Sequence, residues 1–171
     1  RANDAAARQQ VAVSLSPPYV DILVNALGPP PKDVVDQAHA AGIKVAALIG
    51  RKDHALKQIA NGVDIIVAQG TEAGGHSGEV ATMVLVPEVV DAVAPTPVLA
   101  AGGIGSGRQI AAAMAPGAQG VWPGSLWPTT AESGPSPAWP GASPAAAPPD
   151  RVRARCSTAK PARSRRDLGP T

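Results

Sequence analysis

The stretch VDIIVAQGTEAGGHSG, residues 63–78, runs from a short apolar segment into a loop that contains four glycines. A short continuous apolar run that ends at glycine is typical of a strand buried on both faces of a parallel sheet. The same pattern recurs on both sides of this stretch. Predicted strands at 21–27, 43–49, 63–68, 97–101 and 119–122 alternate with predicted helices at 33–41, 53–61, 84–93 and 108–114. The sequence therefore predicts an α/β fold of about five parallel β/α units.

Two architectures are built from such units, the (β/α)₈ barrel and the open doubly wound sheet, and the periodicity alone does not choose between them. The chain has 171 residues, which is short of the about 250 residues of a complete barrel. Leu56 and Ile59 are expected on the inward face of the helix at 53–61. Pro123 is predicted to fall within the final strand, where a proline removes a ladder N–H and is normally tolerated only at an edge.

The amino-acid composition indicates the kind of core that the protein has and the compartment in which it occurs. Hydrophobic residues make up 44% of the chain but aromatic residues only 2%, and phenylalanine is absent, so the core must consist of Val, Ala, Ile and Leu. No apolar run approaches the roughly 20 residues needed to span a membrane. The only cysteine, Cys156, cannot form an internal disulfide. We therefore expect a cytoplasmic protein that is not bound to a membrane.

The C-terminal part of the chain has a different character. Residues 134–149 contain six prolines, and residues 151–171 carry seven Lys/Arg residues against one acidic residue. The formal net charge of +2 thus divides into a mildly acidic body, with eight basic and twelve acidic residues in 1–150, and a basic tail. We predict a weakly structured segment at 1–18, a folded portion at 19–133 and a disordered Pro/Arg-rich tail at 134–171. The basic segment 151–171 has no interleaved aromatic residues, so no nucleic-acid partner is expected.

Candidate functional residues fall where predicted strands end, which is where parallel α/β folds bind ligands. Gln69 has an amide that can donate and accept hydrogen bonds, and in the loop after it Gly70 and Gly75 allow a close approach of the backbone. His76 could act as a general base near neutral pH. The alternatives are a buried polar residue at Gln69 and a surface loop histidine at His76. His39 and His54, in the predicted helices, are expected to be solvated.

Two small-residue turns follow the last two predicted strands. The first, AAGGIGSG at residues 100–107, leads directly into a helix and contains Gly102 and Gly103; the second contains Gly124 and Ser125. Backbone N–H groups in such turns can bind a phosphate, and in (β/α)₈ barrels the phosphate site lies in the loops after the final strands. Lys44 is also a candidate cofactor contact, although an isolated lysine at the start of a strand is usually solvated.

The segments DIIVAQGTEAGGHSG at 64–78, LVPEVVDAV at 85–93, PVLAAGGIG at 97–105 and GAQGVW at 117–122 resemble the nitronate monooxygenase (2-nitropropane dioxygenase) family over about residues 20–133. The resemblance implies an FMN-binding barrel of which these strands are the last five of eight. It implies that Gln69 lies near the flavin ring and that His76 is the active-site histidine. It assigns the FMN phosphate to Gly102, Gly103, Gly124 and Ser125.

The same resemblance implies oxidation of alkyl nitronates or nitroalkanes with O₂ and without a metal. Two alternatives stay open: an FMN-dependent enoyl-ACP reductase, whose barrel and phosphate turns are similar, and a truncated, non-catalytic barrel remnant. A sheet of five strands would have open edges, so self-association through those edges is also expected.

Overall fold

The computed structural model describes residues 11–15, 20–26, 28–124, 126–127, 130, 132, 151–155 and 161–165, and of His76 and the last two segments only the backbone. Four helices follow a short helical segment at 11–15; they are α1 (Lys32–Ala40), α2 (Lys52–Ala60), α3 (Thr82–Val93) and α4 (Gly107–Met114). Eight strands are β1 (Ile22–Asn25), β2 (Lys44–Ile49), β3 (Ile65–Gln69), β4 (Gly75–His76), β5 (Val98–Ala101), β6 (Gly120–Val121), β7 (Arg151–Arg155) and β8 (Pro161–Arg165).

The main sheet has five strands in the order β1-β2-β3-β5-β6, and every pair is parallel. Each strand lies beside the previous strand of the same sheet, so the order follows the chain and never reverses. A doubly wound sheet would contain a reversal, where the chain returns to the other side of its first strand. The prediction of a partial (β/α)₈ barrel is therefore confirmed against the doubly wound alternative.

The core lies between this sheet and the helices and is aliphatic throughout. The largest fully buried side chains are Val35, Val45, Ile66, Val67, Leu85, Val86, Val89 and Val98. In the central strand β3, Ile66, Val67 and Ala68 are all completely buried, as expected for a parallel strand covered on both faces. The absence of phenylalanine is thus compatible with a closely packed interior.

One side-chain prediction in the helices is wrong. Leu56 was expected to face inward, but its side chain is 48% exposed, and the fully buried positions of α2 are Ala55 and Gln58. Ile59, one helical turn after Ala55, is partly buried against the core as predicted. A buried face built on Ala55, Gln58 and Ile59 places Leu56 about 100° around the helix from Ala55, and hence toward solvent.

Prolines stand at tolerated places in two elements. Pro87 is inside α3, where it cannot bond to the carbonyl of Met83; Met83 is 59% exposed, so that carbonyl group lies on a solvated part of the helix. The strand β6 is shorter than predicted because its ladder ends at Val121, although Trp122 N–H still donates to the Ala100 carbonyl at 2.8 Å. Pro123 therefore follows the edge strand instead of lying within it.

The structure differs from the expected tail in one respect. β7 and β8 form an antiparallel hairpin within residues 151–165, and β8 also pairs with β4 to complete a three-stranded sheet. Backbone pairing of this kind needs no apolar periodicity, which is why the arginine-rich sequence gave no signal for it. The proposed boundaries at 18 and 133 and the character of the rest of the tail stay predictions, since residues 1–10, 16–19 and 133–150 lie outside the described part.

In the part of the chain that the structure describes, no helix is long and apolar enough to cross a membrane. The two outer strands of the described sheet are β1 and β6. Ile22 and Val24 of β1 are 44% and 36% exposed. Self-association through these edges stays a prediction.

The Asp64 side chain links β2 to α1 at the amino ends of the strands. The Asp64 carboxylate accepts hydrogen bonds from Val45 N–H at 2.8 Å and lies 2.9 Å from His39 Nε2. Partial burial raises the pKa of Asp64, but the hydrogen bonds from Val45 and His39 and the charges of His39 and Lys44 outweigh this effect and hold the pKa below its usual value of 3.8. The ionised carboxylate thus stabilises the folded state.

We expect Asp64→Ala to lower the free energy of unfolding at pH 7 by about 1–3 kcal/mol, because the buried Val45 N–H loses its acceptor. Since the folded pKa of Asp64 is depressed, its contribution is complete at neutral pH and is lost as the pH falls through the folded pKa. Urea unfolding at pH 7 and pH 3 should show a smaller difference between wild type and variant at pH 3. Asp36→Ala, in the exposed pair with Lys32, is the control, and equal losses for both variants would contradict the assignment.

Candidate functional site

A cavity of about 530 Å³ opens at the carboxyl ends of β3, β5 and β6. Its walls come from three loops, residues 72–74, 101–105 and 122–124, together with Gln69 and Gln109. A cavity of this size is within the range of about 300–1,000 Å³ that is usual for small-molecule and cofactor sites. The position is the one at which (β/α)₈ barrels bind their ligands.

Gln69 and Gly70 end the central strand of the sheet. Gln69 is half-buried, pairs in register with Ala101 and lines the cavity. Gly70 is buried, and a Cβ atom there would overlap Thr82, with the Thr82 N and Cα atoms 2.5 and 2.6 Å away. Gly70 therefore lets the chain turn against the start of α3, and only Gln69 of this pair reaches the cavity.

Glu72 joins the loop after β3 to the start of α3. Its carboxylate accepts hydrogen bonds from Thr82 N–H at 2.9 Å and from the Thr82 hydroxyl at 2.7 Å. Thr82 is the first residue of α3 and is 6% exposed. The positive end of the helix dipole and the two donors stabilise a negative charge at this position. Glu72 thus fixes one wall of the cavity.

The turn after β5 lines the cavity with residues 101–105. Gly102 and Gly103 have φ angles of 112° and 72°, which favour glycine. Gly105 N–H donates to Gln109 Oε1 at 2.8 Å. Among the described residues, the N–H groups of Gly103 and Ile104 donate to no protein acceptor, so both can bind a ligand. Such an arrangement before a helix suits an anion.

The other predicted residues are distributed as follows. Gly124 lines the cavity, and Ser125 lies outside the described residues. Gly75 is exposed in β4 at a φ of 66°, and a Cβ atom there would meet nothing within 4 Å. The backbone of His76 follows it in β4, and the position of the His76 side chain lies outside the described part.

Lys44 is not brought together with the other candidates. It is the first residue of β2, exposed, and paired in register with Ile22. It therefore lies at the amino end of the sheet, whereas the cavity lies at the carboxyl end. At the amino end, the charge of Lys44 helps to lower the pKa of Asp64.

The glycine-rich loop is seated on the end of β2 by a contact between two glycines. A Cβ atom on Gly50 would lie 2.5 Å from Gly78 Cα and 2.8 Å from Gly78 N, and one on Gly78 would lie 2.6 Å from Gly50 Cα. Real Cβ atoms do not approach other atoms so closely. The loop that contains His76 can take this position only because neither residue has a side chain.

Three residues of the site were not predicted from the sequence. They are Glu72, Thr82 and Gln109. Gln109 Oε1 accepts from Gly105 N–H and from the Ser106 hydroxyl at 3.1 Å. The spacing Ser-x-x-Gln at 106–109 is the capping-box pattern, so the sequence could have predicted the role of Gln109. Glu72 and Thr82 are ten positions apart, and no local pattern joins them.

We expect Gly50→Ala to destabilise the fold by about 1–3 kcal/mol, because the added methyl group must displace the Gly78 backbone. Gly107→Ala is the matched control. Gly107 is exposed at the start of α4, and a Cβ atom there meets nothing within 4 Å, so this change should be neutral or slightly stabilising. Urea unfolding of both variants measures the effect, and a neutral Gly50→Ala would show that the contact is not tight.

The chain is similar to several known proteins in sequence and in fold. A protein of Mycobacterium tuberculosis (strain ATCC 25618 / H37Rv), Rv1533, provisionally named a monooxygenase, is 62% identical over 144 residues, which are 84% of this chain and 38% of that protein. A mutant of FabK from Thermotoga maritima superimposes with a TM-score of 0.85 at 34% identity, over 94% of this chain and 52% of that chain. Nitroalkane oxidase from Streptomyces ansochromogenes superimposes with a TM-score of 0.83 at 32% identity, over 92% and 48%.

The chain thus spans between 38% and 52% of the length of these proteins. The family model described as nitronate monooxygenase matches residues 2–164, nearly the whole chain. The match covers the cavity, the glycine-rich loop and the hairpin β7–β8 apart from Arg165. The chain belongs to the nitronate monooxygenase family.

Proposed function

We propose that this chain forms the phosphate-binding and catalytic part of an FMN-dependent oxidoreductase that oxidises alkyl nitronates or nitroalkanes with O₂. The observation that carries the proposal is the cavity at the carboxyl ends of β3, β5 and β6. One of its walls offers unpaired backbone N–H groups, and another offers the amide of Gln69. Family membership and the likeness to nitroalkane oxidase support this choice of reaction.

The residues present fit a flavin phosphate. The N–H groups of Gly103 and Ile104 would donate to it, and Gly124 with Ser125 would close the second side. Glu72 also lines the cavity, and its negative charge would repel a phosphate, but its carboxylate is bound to Thr82 at the N-terminus of α3, where the charge is partly offset. The Gln69 amide would pair with the polar edge of the ring. Lys44 has no part in this proposal.

His76 carries the proton chemistry in the proposed reaction. With a nitroalkane, an imidazole nitrogen takes the acidic proton from the carbon next to the nitro group and leaves the nitronate anion. With a nitronate as substrate, the protonated imidazole holds the anion in position. The flavin, when bound, accepts electrons from the substrate and passes them to O₂. The protein is proposed to work in the cytoplasm with small molecules as its partners.

An FMN-dependent enoyl-ACP reductase is the second candidate, because its barrel and phosphate turns are similar to those that the resemblance implies for this chain. An enoyl-ACP reductase needs NAD(P)H as its electron donor, whereas nitronate oxidation with O₂ does not. Consumption of O₂ with a nitronate in the absence of NAD(P)H would favour the first proposal. NAD(P)H-dependent reduction of an enoyl thioester would favour the second.

We expect FMN to bind the chain and Gly103→Val to weaken binding by more than about tenfold. A valine at a positive φ distorts the turn, and a lost hydrogen bond to a charged group is worth about 1.5–3 kcal/mol. Gly42→Val is the matched control, since Gly42 has a φ of 75° but lies at the other end of the sheet, after α1. Flavin fluorescence follows the titration. Absence of binding to the wild-type chain would favour the non-catalytic barrel remnant.

We expect His76→Ala to reduce turnover of a nitroalkane by about 10²–10⁴-fold, the usual contribution of a general base. Turnover of the preformed nitronate should fall much less, because its proton has already been removed. Oxygen consumption with both substrates measures the two rates at saturating FMN. Equal losses with the two substrates would show that His76 does not act as the base.

A further inference from the structure

The loop between β3 and α3 needs support from outside itself. Residues 70–78 include four glycines, and glycine loses more conformational freedom on ordering than any other residue. A loop of this composition does not hold one conformation by its own propensity. Contacts with the rest of the protein must therefore fix the position of any catalytic group on it.

The body of the sheet fixes the two ends of this loop. At its start, Thr71 N–H donates to the Val80 carbonyl at 2.9 Å, and Glu72 is bound to Thr82. At its end, Gly78 rests on Gly50. The middle is different, because Gly74 and Gly75 are exposed and a Cβ atom on either would meet nothing within 4 Å.

The middle of the loop is held by the hairpin β7–β8. Gly75 pairs with Arg163 and His76 pairs with Ala162, both antiparallel. β8 is the central strand of this small sheet and pairs with β7 along its whole length, from Arg151↔Arg165 to Arg155↔Pro161. A two-residue strand such as β4 has no stability of its own and exists because a longer strand pairs with it.

We propose that the hairpin β7–β8 is a positioning element of the active site, which fixes through β8 the backbone of His76, two residues after Gly74 in the cavity wall. The catalytic consequence rests on the proposed function of His76, whereas the anchoring of the loop does not. The arginine-rich segment near the end of the chain is then part of the catalytic apparatus. Its removal would leave the five-stranded sheet intact and the phosphate turn in place, but would release His76.

Proline substitutions in β8 test the anchoring in the full chain. Successive N–H groups of a strand point to opposite sides, so one of the amides of Ala162 and Arg163 faces β4 and the other faces β7. We expect Ala162→Pro or Arg163→Pro, whichever removes the amide that faces β4, to raise hydrogen exchange at residues 74–78 by about tenfold or more. Exchange in α3 should stay unchanged, which shows that the fold is intact.

Two further variants make the test specific. Arg151→Pro alters the end of the outer strand β7. Arg151 pairs with Arg165 of β8, which lies beyond the two residues of β8 that pair with β4. This variant should leave hydrogen exchange at residues 74–78 unchanged. A chain that ends at residue 150 removes the whole hairpin and should raise this exchange at least as much as the proline variant. Unchanged exchange at residues 74–78 in Ala162→Pro, in Arg163→Pro and in the shortened chain would overturn the proposal.

Kinetics separate the anchoring from the catalytic role. In the variant that releases the loop, kcat for a nitroalkane should fall, whereas the Kd for FMN should not change, since the phosphate turn is not touched. An enzyme that loses loop protection but keeps its kcat would confirm the anchoring and overturn the role of the hairpin in catalysis. A chain that binds no FMN would disprove the proposed function, and the exchange measurement would still decide on the anchor.

Discussion

The site depends on the close approach of backbones at the carboxyl end of the sheet. Gly50 touches Gly78, Gly70 lies against Thr82, and a Cβ atom on Gly102 would come within 2.8 Å of the Thr82 hydroxyl. These contacts are shorter than any side chain allows, so the loops after β2, β3 and β5 can meet only where glycine occurs in all three. The cavity is the space that this arrangement leaves open. Glycines at these positions therefore determine the shape of the cavity wall, in addition to the backbone conformations that the loops can adopt.

Much of this architecture follows from local sequence patterns. Short apolar runs that end at glycine predicted the parallel strands, and the alternation with amphipathic segments predicted the helices between them. Gln69, Gly102, Gly103 and Gly124 were found in the same way, because a strand end can be recognised from the sequence and strand ends meet at one edge. The structure places these four at the cavity.

Long-range contacts were not predictable, and each failure has a physical reason. The face that α2 buries is set by close packing on Ala55, so the larger Leu56 was assigned to the wrong side. The bond between Glu72 and Thr82 depends on how the loop folds back. The pairing of β4 with β8 uses backbone groups, which every residue except proline offers, and so leaves no mark in the composition. The sequence already placed Lys44 at the start of a predicted strand, and the structure confirms that this is the end of the sheet away from the cavity.

The order of strands in the main sheet has a consequence for how the protein folds. Because each strand pairs with the preceding strand of the same sheet, the ladders of this sheet join residues only 19 to 32 positions apart in the chain. The β4–β8 ladder is the exception, since it joins residues 75–76 to residues 162–163. During synthesis the sheet can form while this ladder cannot, because β8 has not yet left the ribosome. The middle of the loop, at Gly75 and His76, can therefore take up its pairing only after the rest of the loop and the main sheet have been synthesised.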